Sequence, residues 1–278
     1  MIQLKELEKW TLLIRKRTVE IIHNASGGHI GGSLSAVDIL VALYFEIMNI
    51  DPKNPQMKGR DRFIMSKGHS VEGYYATLEN RGFISSELLD TYGKFNSLLA
   101  GHPTRKVPGI ELNSGALGHG LAVGVGLAIA AKRSGENYRT YVLMGDGEHG
   151  EGSIMEAAAA AGFYKLNNLV AIVDRNQLQI SGRTEDVMAI DDLEGKYRAC
   201  GWSVVHCDGH NMEDLLQCFR HAAIQTEKPT CVIAHTVKGK GVSYMENKAA
   251  WHHKVPNKEQ LEIAFAELNQ RLEEIEND

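Results

Sequence analysis

The sequence predicts an α/β fold, a doubly wound parallel sheet flanked by helices, and three observations carry that prediction. From residue 138 onward strands alternate with single helices; the strands are continuous apolar runs; and glycine, acidic and amide residues crowd the positions where strands end. Continuously apolar strands are buried on both faces, the situation of a parallel sheet with helical crossovers. In such sheets ligands bind in the crevice outside the carboxyl ends of the strands.

The elements follow in order. Residues 5–23 carry Leu7, Trp10, Leu13, Ile14 and Ile21 at helical spacing and feed a glycine-rich loop, Asn24 to Gly32. Ser35 and Asp38 form a capping box opening a buried helix from Val37 to Phe45, stopped by Asp51-Pro52. Arg62 to Ser66 is a short strand delivering Lys67-Gly68-His69-Ser70. Then come a strand from Tyr138 to Met144, a helix from Ser153 to Lys165 begun by Ser153 with Glu156, and a strand from Leu169 to Asp174. A helix from Leu193 to Cys200, a strand from Trp202 to Cys207, a helix from Met212 to Ile224 and a strand from Thr230 to His235 complete the alternation. With no repeat and no long linker, the 278 residues read as one domain, with a helical N-terminal excursion over about 1–60 and a C-terminal helix over about 258–276.

Composition narrows the function. With 43% hydrophobic and 23% charged residues the chain has ordinary globular composition and can bury a full core. The formal charge is −5 and no Lys/Arg block offers a phosphate-backbone footprint, which argues against nucleic acid as a partner. No apolar run reaches the roughly 18 residues of a membrane span, and the N-terminus has no signal core, so a soluble, cytoplasmic protein is expected. Cys200, Cys207, Cys218 and Cys231 stand singly, without a CxxC pair, as reduced core or helix cysteines.

The chemistry concentrates at two strand ends. Tyr141 to Met144 runs into Gly145-Asp146-Gly147-Glu148-His149-Gly150-Glu151-Gly152, where the glycines permit close backbone approach and the following helix N-terminus favours an anion. The next strand ends in Asp174-Arg175-Asn176-Gln177-Leu178, placing Asn176 thirty residues after Asp146 on the adjacent strand end. A carboxylate, an amide oxygen and a nearby backbone carbonyl are hard ligands, as Mg²⁺ demands. With one anionic ligand, part of the metal's charge stays available to diphosphate oxygens, whereas a three-carboxylate cage would repel them. An ordinary strand-to-helix turn explains Gly-Asp-Gly alone; Asn176 at the next strand end turns the pair into a metal-diphosphate clamp. No P-loop and no dinucleotide fingerprint is present.

Gly145-Asp146-Gly147 followed by Asn176 resembles the thiamine diphosphate motif, and the surrounding sequence resembles transketolase. The matching pieces run in register through nearly the whole chain: Ser26 to Gly31, Ser66 to Ser70, Gly101-His102-Pro103, Ser114 to Gly120, the diphosphate motif, and Trp251-His252. The resemblance implies the thiamine diphosphate-binding fold of the diphosphate type, with thiamine diphosphate and Mg²⁺ as cofactors, Ca²⁺ or Mn²⁺ able to substitute. It implies that Asp146, Asn176 and the Leu178 carbonyl bind the metal, and that Gly147 and Asn176 touch the diphosphate. His69 and His252 would line the cofactor, the backbone of Gly115 and Leu117 would face its aminopyrimidine, and Glu151 would reach toward a partner's half of the interface. His29, His102 and His252 would contact sugar hydroxyls near the reacting carbons. Ketol transfer moves protons at near-neutral pH, which suits imidazoles; the cofactor supplies the electron sink.

Other readings accompany these. His23, His206, His210 and His221 read as structural or surface residues, His119 and His149 as loop supports or site residues, and His235 as a buried strand end. Lys238-Gly239-Lys240-Gly241 is either a surface turn or, as the resemblance implies, a loop closing over the cofactor with Lys238 near the diphosphate. The alanine run Ala157 to Ala161 fits a subunit interface or plain core packing. Two departures from the family bear on substrate preference: Ser114-Gly115-Ala116 replaces a threonine- and proline-containing loop, and Lys67 replaces a small residue. In Trp251-His252-His253 the Trp-His pair favours His252 as the active-site histidine, with His253 the alternative.

A transketolase also needs a pyrimidine-binding domain with a glutamate for the cofactor ring and a basic pocket for the sugar phosphate. After Trp251-His252 only a helix fits in the remaining sequence. The expectation is the N-terminal subunit of a split transketolase, completed by a C-terminal partner subunit in a heterotetramer of two pairs and acting on sugar phosphates of pentose phosphate metabolism. The alternatives are an α-type subunit of a 2-oxo acid dehydrogenase, disfavoured by the histidine loops, a 1-deoxyxylulose-phosphate synthase-like subunit, and a non-catalytic cofactor-binding scaffold.

Overall fold

A computed structural model of the chain describes residues 2–277. Its helices before the sheet are α1 (Leu4–Ala25), α2 (Ile30–Ser35) and α3 (Val37–Val41), the last running on as a π-helical turn, Ala42–Ile47. Strand β1 (Arg62–Met65) is followed by α4 (Val71–Arg81), α5 (Ser86–Leu89) and α6 (Gly120–Ser134). The regular alternation is β2 (Thr140–Gly145), α7 (Gly152–Phe163), β3 (Leu169–Arg175), α8 (Thr184–Val187), α9 (Leu193–Ala199), β4 (Ser203–Asp208), α10 (Met212–Ala223) and β5 (Thr230–His235). Helix α11 (Lys258–Asn277) closes the chain.

Among the described residues the five strands form one parallel sheet in the order β1-β2-β3-β5-β4. Alternate strand residues feed two cores. Phe63, Tyr141, Leu143, Val170, Ile172 and Val232 pack with α1, α3, α4 and α10 on one face; Ile64, Val142, Met144, Ala171, Val173 and Ile233 pack with α6, α7 and α9 on the other. Central β3 is buried along its whole length, as a continuous apolar run predicts. Edge strand β4 departs from that expectation: His206 and Asp208 are exposed and its burial alternates, because it has a neighbour on one side only.

A third apolar cluster joins Val19, Ile22, Ile30 and Leu34 to Val242, Met245, Trp251 and Ala264, docking α11 and the segment before it onto α1 and α2. No helix among the described residues is long and apolar enough to cross a membrane.

Three local expectations fail for identifiable reasons. Ser35 does not cap a helix: it lies inside α2 and its hydroxyl donates to Asp174, while Asp38 pairs with Arg15. Ser153 likewise lies inside α7, donating to the Gly118 carbonyl at 2.9 Å, and Glu151 takes the N-cap position without a side-chain bond. Part of the glycine-rich loop is helical, since Gly31 and Gly32 belong to α2. Close approach rather than flexibility explains Gly31, because a Cβ there would stand 2.7 Å from the Trp251 carbonyl.

Candidate active site

Parallel register puts the ends of β1, β2, β3 and β5 at one edge of the sheet. Gly145 stands opposite Asp174 across the β2/β3 pair, so Asp146 and Asn176 leave adjacent strand ends, as their spacing predicts. A cleft of about 140 Å³ opens there; its walls include His69, Leu117, Asp146, Gly147, Asn176, Leu178, Lys238 and His252, joined by Gly32 and Lys67.

The acidic side is built around Asp146. Its Oδ1 accepts from the Gly147 N–H at 2.7 Å and its Oδ2 from the Gln177 N–H at 2.6 Å, while Arg175 stands 3.3 Å away. Burial, then the charge of Asp174, raises the Asp146 carboxyl above its ordinary range. Asn176 directs its amide nitrogen to Asp174 and its oxygen to the Leu178 N–H at 3.1 Å. Among the described residues no three His, Cys, Asp or Glu side chains gather as a metal cage. The available donors are one carboxylate, one amide oxygen and the Leu178 carbonyl, and a cation already touches that carbonyl: Lys238 Nζ lies 3.3 Å from it. A buried carboxyl raised by its surroundings, hard oxygens and a carbonyl facing an ammonium fit a hard divalent ion.

The other wall is imidazole. Ring centroids of His29, His69 and His252 lie 5.2, 5.4 and 5.5 Å apart, and His253 approaches His29 at 4.6 Å. Burial first, then neighbouring positive groups, lowers His29 to about 4, His69 to about 2 and His252 to about 3, so these rings are neutral at pH 7. Burial and Lys67 bring Lys238 down to about 8. Its ammonium also meets His252 Nδ1 at 2.8 Å; buried as it is, Lys238 is not part of a surface turn.

Of the remaining expected residues, His102 is exposed and lies against Gly115, where a Cβ would stand 2.7 Å from its ring. Gly115 has φ +138, a conformation favouring glycine. Leu117 reaches the cleft wall. Glu151 does not: it is exposed, packed beside Gly118. His149 is a buried support bonded to Tyr197 and the Gly145 carbonyl, and His119 is exposed beside the Leu117 carbonyl. His235 corrects an expectation: it is exposed, stacked on His206, because its strand neighbours the sparsely covered edge.

Three further supports, Asp174, Glu148 and Glu72, escaped the sequence reading, and His210, read as structural or surface, proves structural. Asp174 is buried against Lys67, with Ser35 and Thr236 donating to it; burial would raise its carboxyl, but the Lys67 charge and these hydrogen bonds hold it at about 2. Glu148 accepts from Ser66, from the Gly118 N–H at 2.8 Å and from the Gly145 N–H at 3.1 Å, tying three cleft loops together. Glu72 accepts from the His29 N–H, Ser33 and Tyr92. His210 bonds Asp38 through Nδ1 at 2.6 Å and accepts the Val237 N–H at 2.7 Å, anchoring the loop that carries Lys238. Apart from Gly145, three residues from Glu148, the partners lie far away in sequence, and the available signal was a polar residue inside an otherwise glycine-rich or apolar stretch.

Comparison with known proteins decides the family: residues 8–268 match the thiamine diphosphate binding domain of transketolase. The chain belongs to the transketolase family. It is 56% identical over 276 residues to an apulose-4-phosphate transketolase subunit of Phocaeicola vulgatus, covering 99% of this chain and 98% of that one. The 6-deoxy-6-sulfo-D-fructose transketolase subunit SqwG of a Clostridium species is 40% identical over 264 residues, with 95% and 96% covered. The crystal structure of transketolase from Campylobacter jejuni superposes with a TM-score of 0.91 at 30% identity, covering 97% of this chain and 43% of the longer one. This transketolase chain thus spans less than half of that single-chain relative and nearly all of the subunit-type relatives. Transferase activity toward ketol groups, and thiamine diphosphate as cofactor, are those of its family.

Proposed function

We propose that the chain is the diphosphate-binding subunit of a two-chain transketolase, completed by a C-terminal partner subunit that carries the pyrimidine-binding half. The pair transfers a two-carbon ketol unit between sugar phosphates, with apulose 4-phosphate as the first candidate donor. The single observation that carries the reading is the convergence of His69, His252 and Lys238 with Asp146, Asn176 and Leu178 in one cleft, with the His29 ring packed against both imidazoles. Near-complete coverage of two subunit-type relatives supports the partner, and 56% identity to an apulose-4-phosphate transketolase subunit supports the donor. A heterotetramer of two such pairs, a cytoplasmic setting in which four free cysteines stay reduced, and a single-domain chain complete the proposal.

Thiamine diphosphate, when bound, supplies the electron sink that lets the ketose C2–C3 bond break. This chain's residues position and move protons around it. Asp146, Asn176 and the Leu178 carbonyl would hold Mg²⁺, and Gly147 and Lys238 would contribute to holding the diphosphate. His69 and His252 would line the cofactor, with the Gly115 and Leu117 backbone facing its ring. His29 and His102 would hold the sugar hydroxyls. The neutral imidazoles of His29, His69 and His252 can each accept a proton from a hydroxyl and return it, and burial keeps these three in that form. Glu151, exposed at the start of α7, would face the partner subunit.

The test is to purify the chain with its candidate partner, add Mg²⁺ and thiamine diphosphate, and follow ketol transfer from apulose 4-phosphate to an aldose phosphate. Turnover by the pair and none by either chain alone is expected. Full turnover by this chain alone would sink the two-chain reading, and turnover of other ketose phosphates but not apulose 4-phosphate would sink the donor.

A further inference from the structure

The two consecutive histidines after Trp251 point to different places. Trp251 is buried in the third apolar cluster, its ring 5.1 Å from that of Tyr244, and the Lys254 ammonium lies over its ring at 4.7 Å. The Trp251 carbonyl sits where Gly31 leaves room for it. This anchor fixes the chain direction, so the next two side chains diverge. His252 turns inward, lines the cleft and meets Lys238. His253 stays exposed and lays its ring against His29, nearer than either of the other two imidazoles that approach His29.

The geometry points to His253 as a specificity-determining residue of the transketolase reaction: a hydrogen-bonding group at the mouth of the site that reads the part of the sugar chain beyond the transferred two-carbon unit. This rests on the ketol-transfer reading above. A substrate whose reacting carbons lie among His29, His69 and His252 carries its remaining carbons beyond that cluster, and His253 is an exposed imidazole packed on His29 outside the cleft lining. An imidazole there donates or accepts a hydrogen bond with a distal hydroxyl, and its exposed position leaves it free to do so without displacing the cofactor-facing His252. The apolar anchor of this segment is Trp251, whereas the exposed His253 ring packs on that of His29.

The test uses the reconstituted two-chain complex and compares the wild type with His253→Gly and His253→Gln on two donors. One is a ketose phosphate; the other is β-hydroxypyruvate, a ketol donor with no distal carbon chain, paired with glycolaldehyde as acceptor. Loss of one hydrogen bond should lower kcat/KM for the ketose phosphate about five- to tenfold in His253→Gly, through KM rather than kcat. The loss should be several-fold smaller with β-hydroxypyruvate, and His253→Gln should recover part of it. Equal losses on both donors, or no loss on either, would overturn the role. A wild-type complex that transfers no ketol unit from either donor would instead overturn the functional reading itself, and this inference with it.

Discussion

Lys67 and Asp174 form an ion pair sealed beneath the cleft, their side chains 2% and 0% exposed. The lysine comes from the loop after β1 and the aspartate from the end of β3, so the pair joins two strand ends that are not neighbours in the sheet. Removing one member of a buried pair strands the other. Lys67→Met is expected to cost about 3–5 kcal/mol of stability, read as a fall in the urea midpoint. Ser35 and Thr236 also bond Asp174, so adding Asp174→Leu should recover only part of that loss. A wild-type midpoint in Lys67→Met would show that the pair does not support the cleft.

Acid should weaken the fold before carboxylates titrate. His149 is buried, donates through Nδ1 to the Gly145 carbonyl, accepts from Tyr197, and is lowered by burial to about 4. The unfolded chain binds this proton near pH 6.5 and the folded chain only near 4. Stability is therefore fully present above about 6.5 and falls as pH drops through that window, by up to about 3 kcal/mol for this one ring. His29, His69 and His252 act with the same sign. Urea midpoints at pH 7.5, 6, 5 and 4 should decline, with a shallower slope in His149→Asn; an unchanged slope would refute the assignment.

Asp146 and Asn176 should govern metal-dependent cofactor binding. In the complex of the two chains, Asp146→Asn and Asn176→Ala are each expected to weaken thiamine diphosphate binding in Mg²⁺ by about 100-fold, measured by calorimetry, and EDTA should do the same to the wild type. Arg175 keeps Glu185 and Asp191 when Asp146 is neutralised, so the fold should survive. Cofactor affinity that is retained in Asp146→Asn would remove Asp146 from the metal site.

Glu148 should matter as a support of the cleft it lines. Glu148→Ala leaves the Ser66 hydroxyl and the Gly118 and Gly145 N–H groups without their acceptor, at about 2–4 kcal/mol in total. Thermal unfolding should register that loss, and cofactor affinity should fall with it because all three loops border the cleft. Glu148→Gln keeps the length and one acceptor and should lie between; a Glu148→Ala protein with wild-type stability would contradict the strut.

The alternating core was legible from the sequence because burial on both faces leaves a trace: β3 carries the apolar run Leu169 to Val173, β5 the run Cys231 to Ala234, and α10 its apolar residues at helical spacing. Helix starts were less legible. Ser35 and Ser153 have the residue type of a cap, yet tertiary partners, Asp174 and the Gly118 carbonyl, claim their hydroxyls. The supports around the cleft left no periodic trace, since Lys67–Asp174, Glu148–Gly118 and His210–Val237 each join segments distant in sequence.

The sequence alone determined that Asp146 and Asn176 leave adjacent strand ends, because they follow strands whose parallel pairing follows from their apolar runs and from the helix between them. Tertiary structure alone decided which histidines share the cleft and in what form. Imidazoles contributed by the start of α2, the turn after β1 and the segment before α11 meet only when the sheet and its helices close, and the burial that follows strips them of water and keeps them neutral.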